Sequence, residues 1–153
     1  MTATRYTSVV DVLILLQRAD GRVLLVRRAE TEYAGGLLSI VGGHLERGEF
    51  ADDGARREAH EEVGVEIDPA DTEFCGAAHY LGPEDERRIC FAFTAQRWLG
   101  EPYNREPHKH TALVWAEPGN PPPDCHAYST AVLRQFVVGG SLYANIAHPR
   151  RPR

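Results

Sequence analysis

Val9 to Leu16 (VVDVLILL) is a nearly continuous apolar run rich in Val, Leu and Ile. Strict alternation would suit a strand wetted on one side, whereas a continuous run suits a strand buried on both faces. A chain with such a strand has to supply covering layers above and below it. The rest of the sequence offers them. Gln17 to Gly21 is turn chemistry and Arg22 to Val26 resumes the apolar pattern, which predicts a hairpin. Leu37 to Val41 reads as a third strand ending at Gly42-Gly43. Asp52 to Val63 reads as a helix, with Asp52 and Asp53 in its first turn and Gly64 as its stop. Gly54 argues against the start of that helix, since Gly costs about 1 kcal/mol against Ala there. Phe74 to His79, Arg88 to Trp98 and Thr111 to Ala116 read as further strands. Beyond the rigid Gly119 to Pro123 connector, Ala127 to Val138 predicts a closing helix stopped by Gly139-Gly140. This order gives an α/β protein with a mixed sheet between helices. The 153 residues suit a single domain, 1–153, with 147–153 as a mobile tail.

Composition narrows the partners. A net charge of −5 argues against a nucleic-acid polymer, although a local basic pocket or a metal still permits a small anionic substrate. No apolar stretch is long enough to span a bilayer, and Met1 to Ser8 carries no signal-peptide pattern. Cys75, Cys90 and Cys125 are widely spaced without a CxxC pair, which suits reduced thiols in a cytoplasmic protein.

Chemistry concentrates in Gly42 to Val65, GGHLERGEFADDGARREAHEEVGV. Glu58 stands three residues before Glu61 and four before Glu62, spacings that share a helical face with Cβ atoms roughly 5–6 Å apart. Carboxylates gathered so tightly repel unless a positive charge sits among them, and a hard oxygen-seeking cation such as Mg²⁺ is the natural choice. Arg57, four residues before Glu61, is placed to hold a carboxylate with its bidentate fork. Glu49, in the preceding loop, can reach back to the same cluster. Gly42 and Gly43 permit a tight backbone path that brings a carbonyl oxygen to the metal. On an arbitrary helix, such alternating charges would be a solvated face with weak ion pairs.

The full spacing decides against that reading. Gly43, five residues, Glu49, seven residues, Arg57-Glu58, apolar Ala59, one residue, Glu61-Glu62, one residue, Gly64 and apolar Val65 resemble the signature of the Nudix hydrolase family position for position. Coincidence would produce it less than roughly once in a million such chains. The lead-in Gly36 to Glu46 and the strand ending in Arg27-Arg28 are similar too, with Val41 where the family commonly has Pro. Asn104-Arg105-Glu106-Pro107-His108-Lys109, followed by Leu113-Val114-Trp115, looks like members that hydrolyse nucleoside triphosphates.

The resemblance implies an α/β/α sandwich with a mixed β-sheet. It also implies a metal, Mg²⁺ with Mn²⁺ as the alternative, held by Gly43, Glu58, Glu61 and Glu62. Arg57, Glu61, Glu62 and Glu106 are the candidate catalytic residues, and Glu49 supports them from behind. The water's proton could go to Glu61, Glu62 or a later-loop glutamate, of which Glu106 is preferred to Glu101. Arg28 and Lys109 are candidates for substrate phosphate; strand alternation lets only one of Arg27 and Arg28 point inward. His44 reads as a surface or capping residue, Tyr80 as core or edge packing, and Trp98 and Trp115 as core. His108 and His110 lack companions at zinc spacing. The expected activity is cleavage of a phosphoanhydride in a small nucleotide, foremost a nucleoside triphosphate to monophosphate and pyrophosphate, with a housecleaning role against modified nucleotides as one form of it. The alternatives are an ADP-ribose-like nucleotide-sugar pyrophosphatase and a non-catalytic nucleotide-sensing module.

Overall fold

Residues Val9–Leu16 form a strand, β1, whose side chains divide by parity between two cores, as a period of two requires. Val12, Ile14 and Leu16 join one core and Leu13 and Leu15 the other. This is the doubly covered strand expected from its composition. A computed structural model describes residues 3–84 and 86–147 of the chain. The remaining strands are β2 (Val23–Arg28), β3 (Leu38–His44), β4 (Glu73–Leu81), β5 (Arg87–Ala95), β6 (His110–Ala116) and β7 (Tyr143–Ala147). Helix α1 (Ala51–Val63) packs Ala55, Ala59 and Val63 against one face. Helix α2 (Ala127–Val132) and the π-helical turn that continues it, Leu133–Val138, bring Val132, Leu133 and Phe136 to the other. The architecture is the α/β/α sandwich expected from the sequence.

The sheet runs β6-β2-β3-β1-β5-β4-β7, with β1–β5 and β4–β7 parallel and the other pairs antiparallel. The expected β1–β2 hairpin is corrected here. The Gln17–Val23 bridge and the Arg18 N–H bond to the Arg22 carbonyl join the two ends, but β3 inserts between the strands. β3 changes partner along its length: Leu38, Ile40 and their neighbours pair with β2, and Val41 to His44 pair with β1. Nor does a turn occur at the paired glycines. With Val41 in place of Pro, the ladder continues from Val41–Ile14 through Gly42 and Gly43 to His44.

The expected helix over Ala127 to Val138 is α-helical only to Val132. Gly139 N–H then donates to the Arg134 carbonyl, five residues back, the widened repeat of a π turn. The Phe136 ring lies against Gly76 of β4, where a Cβ would come within 2.8 Å of it. Of the expected mobile tail 147–153, Ala147 instead closes β7 and the rest lies outside the described residues.

Candidate active site

Helix α1 sets the site because its apolar and acidic stripes are adjacent. A helix turns 100° per residue, so Glu58 and Glu62 flank the buried Ala55, Ala59 and Val63 and are carried under the sheet with them. Glu58 and Glu62 are only 9% and 7% exposed, whereas the Glu61 side chain is 46% exposed at the rim. The three carboxylates expected on one helical face are thus not equally buried. Glu61 and Glu62 lie on opposite flanks of Glu58, and only Glu62 shares its burial. Gly64 ends the helix in the left-handed conformation (φ 71°), where the Tyr103 ring leaves no space for a Cβ.

Glycines make room for the carboxylates. A Cβ on Gly43 would run into the Glu58 carboxylate, and one on Gly42 into the Val12 carbonyl and Leu13. Gly54, which costs stability inside a helix, is explained the same way. A Cβ there would stand 2.8 Å from Glu49 Oε1 and 3.1 Å from Leu45 Cδ1.

Arg57 ties the group together. Its Nε and Nη2 hold both oxygens of Glu49 at 3.0 and 2.7 Å, and Nη1 lies 2.9 Å from Glu58 Oε1 and 3.1 Å from Glu61 Oε2. Nη2 also donates to the His44 carbonyl at 3.1 Å. Bonding to Arg57 holds the Glu49 carboxyl below the usual carboxylate range, and Glu49 in turn keeps the guanidinium firmly cationic. Glu58 goes the other way: burial raises it, against the pull of Arg57. Burial pushes Glu62 well above the usual range, with the charges of Glu58 and Glu106 adding and the 3.3 Å bond from Gly42 N–H opposing. Among the described residues, no three His, Cys, Asp or Glu side chains are gathered around a metal-sized point, and Arg57 Nη1 is bonded to both Glu58 and Glu61. The donor chemistry nonetheless fits a hard divalent cation. It consists of oxygens, two of them on buried carboxylates whose mutual repulsion a cation would relieve.

The later glutamate arrives on a strap pinned to the end of α1. Tyr103 N–H donates to the Val63 carbonyl and Arg105 N–H to the Glu62 carbonyl, both at 3.1 Å. Arg105 Nη1 donates to the His60 carbonyl at 3.0 Å, so a cation meets the negative end of the helix. Asn104 Nδ2 bonds the His110 carbonyl at 2.6 Å, closing the strap onto β6. Glu106 is thereby held near enough to raise both Glu58 and Glu62, with its own carboxylate 3.1 Å from Lys109 Nζ. The exposed Glu101 takes no part.

A cleft of about 690 Å³ runs beside this group, and its lining includes Gly43, Glu58, Glu61 and Glu62 together with Arg28 and Lys109. A bulge between Arg27 and Arg28 separates the fates of the two arginines. Arg28 lines the cleft with its Nε on the Tyr33 carbonyl at 2.6 Å, and Arg27 turns away to Asp124 at 2.6 Å. Glu49 and Glu106 stand behind the lining. Tyr80, expected in the core or at an edge, lines the cleft, as does His44. His110, 2% exposed, also lines it, and burial beside Arg28 lowers its proton affinity and keeps it neutral. His108 is exposed and does not join it. Trp98 and Trp115 are half-buried and stacked at 6.1 Å rather than fully in the core. A second depression of about 710 Å³, lined by Glu66, Asp68, Trp98 and Leu99, holds none of the box carboxylates.

Sequence reading missed the roles of Gly54, Arg105 and Arg88. The first two act through contacts visible only once α1 is placed, and the third through a cross-strand pair.

Comparison with known proteins agrees with this geometry. The NUDIX domain matches residues 7–135. The chain is 28% identical over 111 residues, 71% of its length and 84% of the relative's, to a protein of Escherichia coli (strain K12) named 8-oxo-dGTP diphosphatase. Its fold is similar to that of the MutT NUDIX hydrolase from Burkholderia pseudomallei, with a TM-score of 0.75, 24% identity, and coverage of 85% of this chain and 98% of that one. The solution structure of the E. coli ORF135 protein gives a TM-score of 0.71 at 24% identity, covering 88% and 91%. With the domain match running through both the box and the sheet that supports it, the chain belongs to the Nudix hydrolase family.

Proposed function

We propose that this hydrolase, acting as one domain, cleaves a nucleoside triphosphate to the monophosphate and pyrophosphate. The observation that carries the proposal is that two buried carboxylates, Glu58 and Glu62, and the cationic Arg28 and Lys109 line one cleft. A polyphosphate carries several negative charges in a row, and a wall with both cations and a metal-type oxygen cluster suits it better than a single phosphate. The name of the E. coli relative, 8-oxo-dGTP diphosphatase, supports a triphosphate and keeps modified nucleotides in view.

A divalent cation, Mg²⁺ or alternatively Mn²⁺, would be held by the Gly43 carbonyl and by Glu58, Glu61 and Glu62; when bound it neutralises phosphate charge and lowers the pKa of a coordinated water. Arg28 and Lys109 orient the phosphate chain and offset its charge. Arg57 fixes Glu58 and Glu61 from the side, and Glu49 fixes Arg57. Of the candidate catalytic glutamates, Glu62 and Glu106 make no bond to Arg57, and one of them receives the proton of the attacking water. Burial raises the proton affinity of Glu62 well above that of an ordinary carboxylate. The three cysteines are free thiols, which suits a reducing cytoplasm.

Product analysis tests the reading. The protein is incubated with Mg²⁺ and either a nucleoside triphosphate or ADP-ribose, and pyrophosphate, orthophosphate and monophosphate are measured. Pyrophosphate with matching monophosphate is expected. Brisk cleavage of ADP-ribose with inert triphosphates would overturn the substrate, and orthophosphate release would move the cleaved bond.

A further inference from the structure

The cleft does not end at the carboxylates. It continues past Gly42 to residues on the other face of the sheet, where Leu13 and Ile40 belong to the core under α2. Asp11, two residues before Leu13 on β1 and therefore on the same face, lines this part of the cleft while only 8% exposed. Both its oxygens lie 3.1 Å from Arg88 Nη1, reaching across from β5, and the His44 ring stands 3.6 Å away. Tyr80 neighbours Arg88 on β4 and packs edge-to-face on Tyr128, with ring centroids 5.6 Å apart. Tyr128 lines the same cleft, and its buried hydroxyl has no hydrogen-bond partner among the described residues.

None of these groups serves the phosphoanhydride chemistry. A charged pair desolvated in a cleft is costly to keep unless its remaining hydrogen-bonding capacity is used. That capacity is specific. Among the described residues Arg88 makes its hydrogen bonds through Nη1 alone, which leaves the N–H groups of Nη2 and Nε for a ligand. Asp11 retains acceptor lone pairs beside them. The end of the cleft thus presents an anionic acceptor next to a cationic donor, flanked by two tyrosine rings.

We propose that Asp11 and Arg88 read the edge of the substrate's base and select bases with a lactam edge, such as guanine, hypoxanthine and uracil, over adenine and cytosine. A lactam places an acidic ring N–H beside a carbonyl oxygen, the mirror of carboxylate beside guanidinium, and both resulting hydrogen bonds are charge-assisted. Adenine and cytosine offer instead a less acidic amino group beside a ring nitrogen with a single lone pair. The tyrosine rings supply apolar surface for the base. This assignment rests on the reading that the phosphates lie along α1, and it adds the position and chemistry of the base.

The test compares kcat/KM for GTP, ITP, UTP, ATP and CTP in the wild type and in Asp11→Asn. The wild type should favour the lactam-edged three by about tenfold or more. Asp11→Asn replaces an acceptor oxygen by a donor and should remove most of that preference, with the loss falling on GTP, ITP and UTP. Should Asp11→Asn not fold, Arg88→Lys keeps a cation for Asp11 while losing the second N–H, and it should lose the preference likewise. Calorimetric binding of GMP and AMP to wild type and variant makes the same comparison without turnover, so inert triphosphates would overturn the proposed activity and not this assignment. Equal losses for all bases, or no wild-type preference in either assay, would overturn it.

Discussion

The backbone carbonyl of Glu62 accepts a hydrogen bond from the backbone amide of Arg105 at 3.1 Å. The residue that buries a carboxylate at the core of the site is thus bonded through its main chain to the neighbour of Glu106. Arg105 adds a side-chain bond to the His60 carbonyl, so removing it should loosen the strap. Arg105→Ala should lower kcat by about tenfold with a smaller change in KM, and reduce stability by about 0.3–1 kcal/mol, the worth of a cation at a helix C-terminus. Arg105→Lys should recover part of the rate. Steady-state kinetics and thermal melts check this, and an unchanged kcat would show that the backbone bonds alone hold Glu106.

Arg57 meets three carboxylates and a carbonyl through one planar group. A lysine ammonium cannot reproduce the fork on Glu49 while also reaching Glu58 and Glu61. Arg57→Lys should keep a near-normal melting temperature and lose roughly a hundredfold in kcat, since misplacing catalytic groups by about 1 Å costs that much. Full activity in the variant would remove Arg57 from the site.

Gly54→Ala inverts the usual helix rule. Ala at an interior helix position ordinarily gains about 1 kcal/mol over Gly. Here the added methyl would press on Glu49 Oε1 and Leu45 Cδ1. The expected outcome is a lower melting temperature together with reduced activity, as Glu49 and then Arg57 shift. A gain in stability would mean the loop before α1 yields freely.

The buried carboxylates set a pH signature for the metal-free protein. Glu58 and Glu62 have folded-state proton affinities raised above the ordinary value of 4.5. A raised group contributes stability that is complete below its unfolded pKa and disappears as pH climbs through the folded one. In chelator, stability should therefore fall as pH rises above 4.5, to the extent that these two groups govern it. Glu49 and Asp52, both depressed, act in the opposite sense and lose their contribution as pH falls. Glu62→Gln should flatten the high-pH decline and stabilise the chelated protein near neutrality, while reducing turnover by several orders of magnitude. Melts in chelator from pH 5 to 8 decide it; an unchanged slope would remove Glu62 as the cause.

What could be read beforehand depended on distance along the chain. The α1 carboxylates and Arg57 were legible because helical spacing fixes their neighbours within one turn. The Asp11–Arg88 pair was not, since its members lie 77 residues apart and meet only through β1–β5 pairing. The β1–β2 hairpin misled because a good turn at Arg18 to Arg22 does not decide which strand fills the next place. β7 escaped notice because, in the YANIA segment, only Ala144 is buried. The π turn was hidden as well, because its apolar spacing still satisfies a helical pattern.

The parallel register of β1 on β5 also dictates when the catalytic centre can exist. Val9 pairs with Arg88, roughly eighty residues further on, and α1 rests on a bed of which β1 is the middle. A nascent chain synthesised as far as Val65 already contains every box residue, yet lacks β5 beside β1 and the strap that carries Glu106. Closing so long a loop costs entropy before any contact repays it. Such topologies fold in milliseconds to seconds rather than microseconds. Assembly of the centre is therefore a late event, and a ribosome-bound fragment ending after α1 should be inert despite an intact signature.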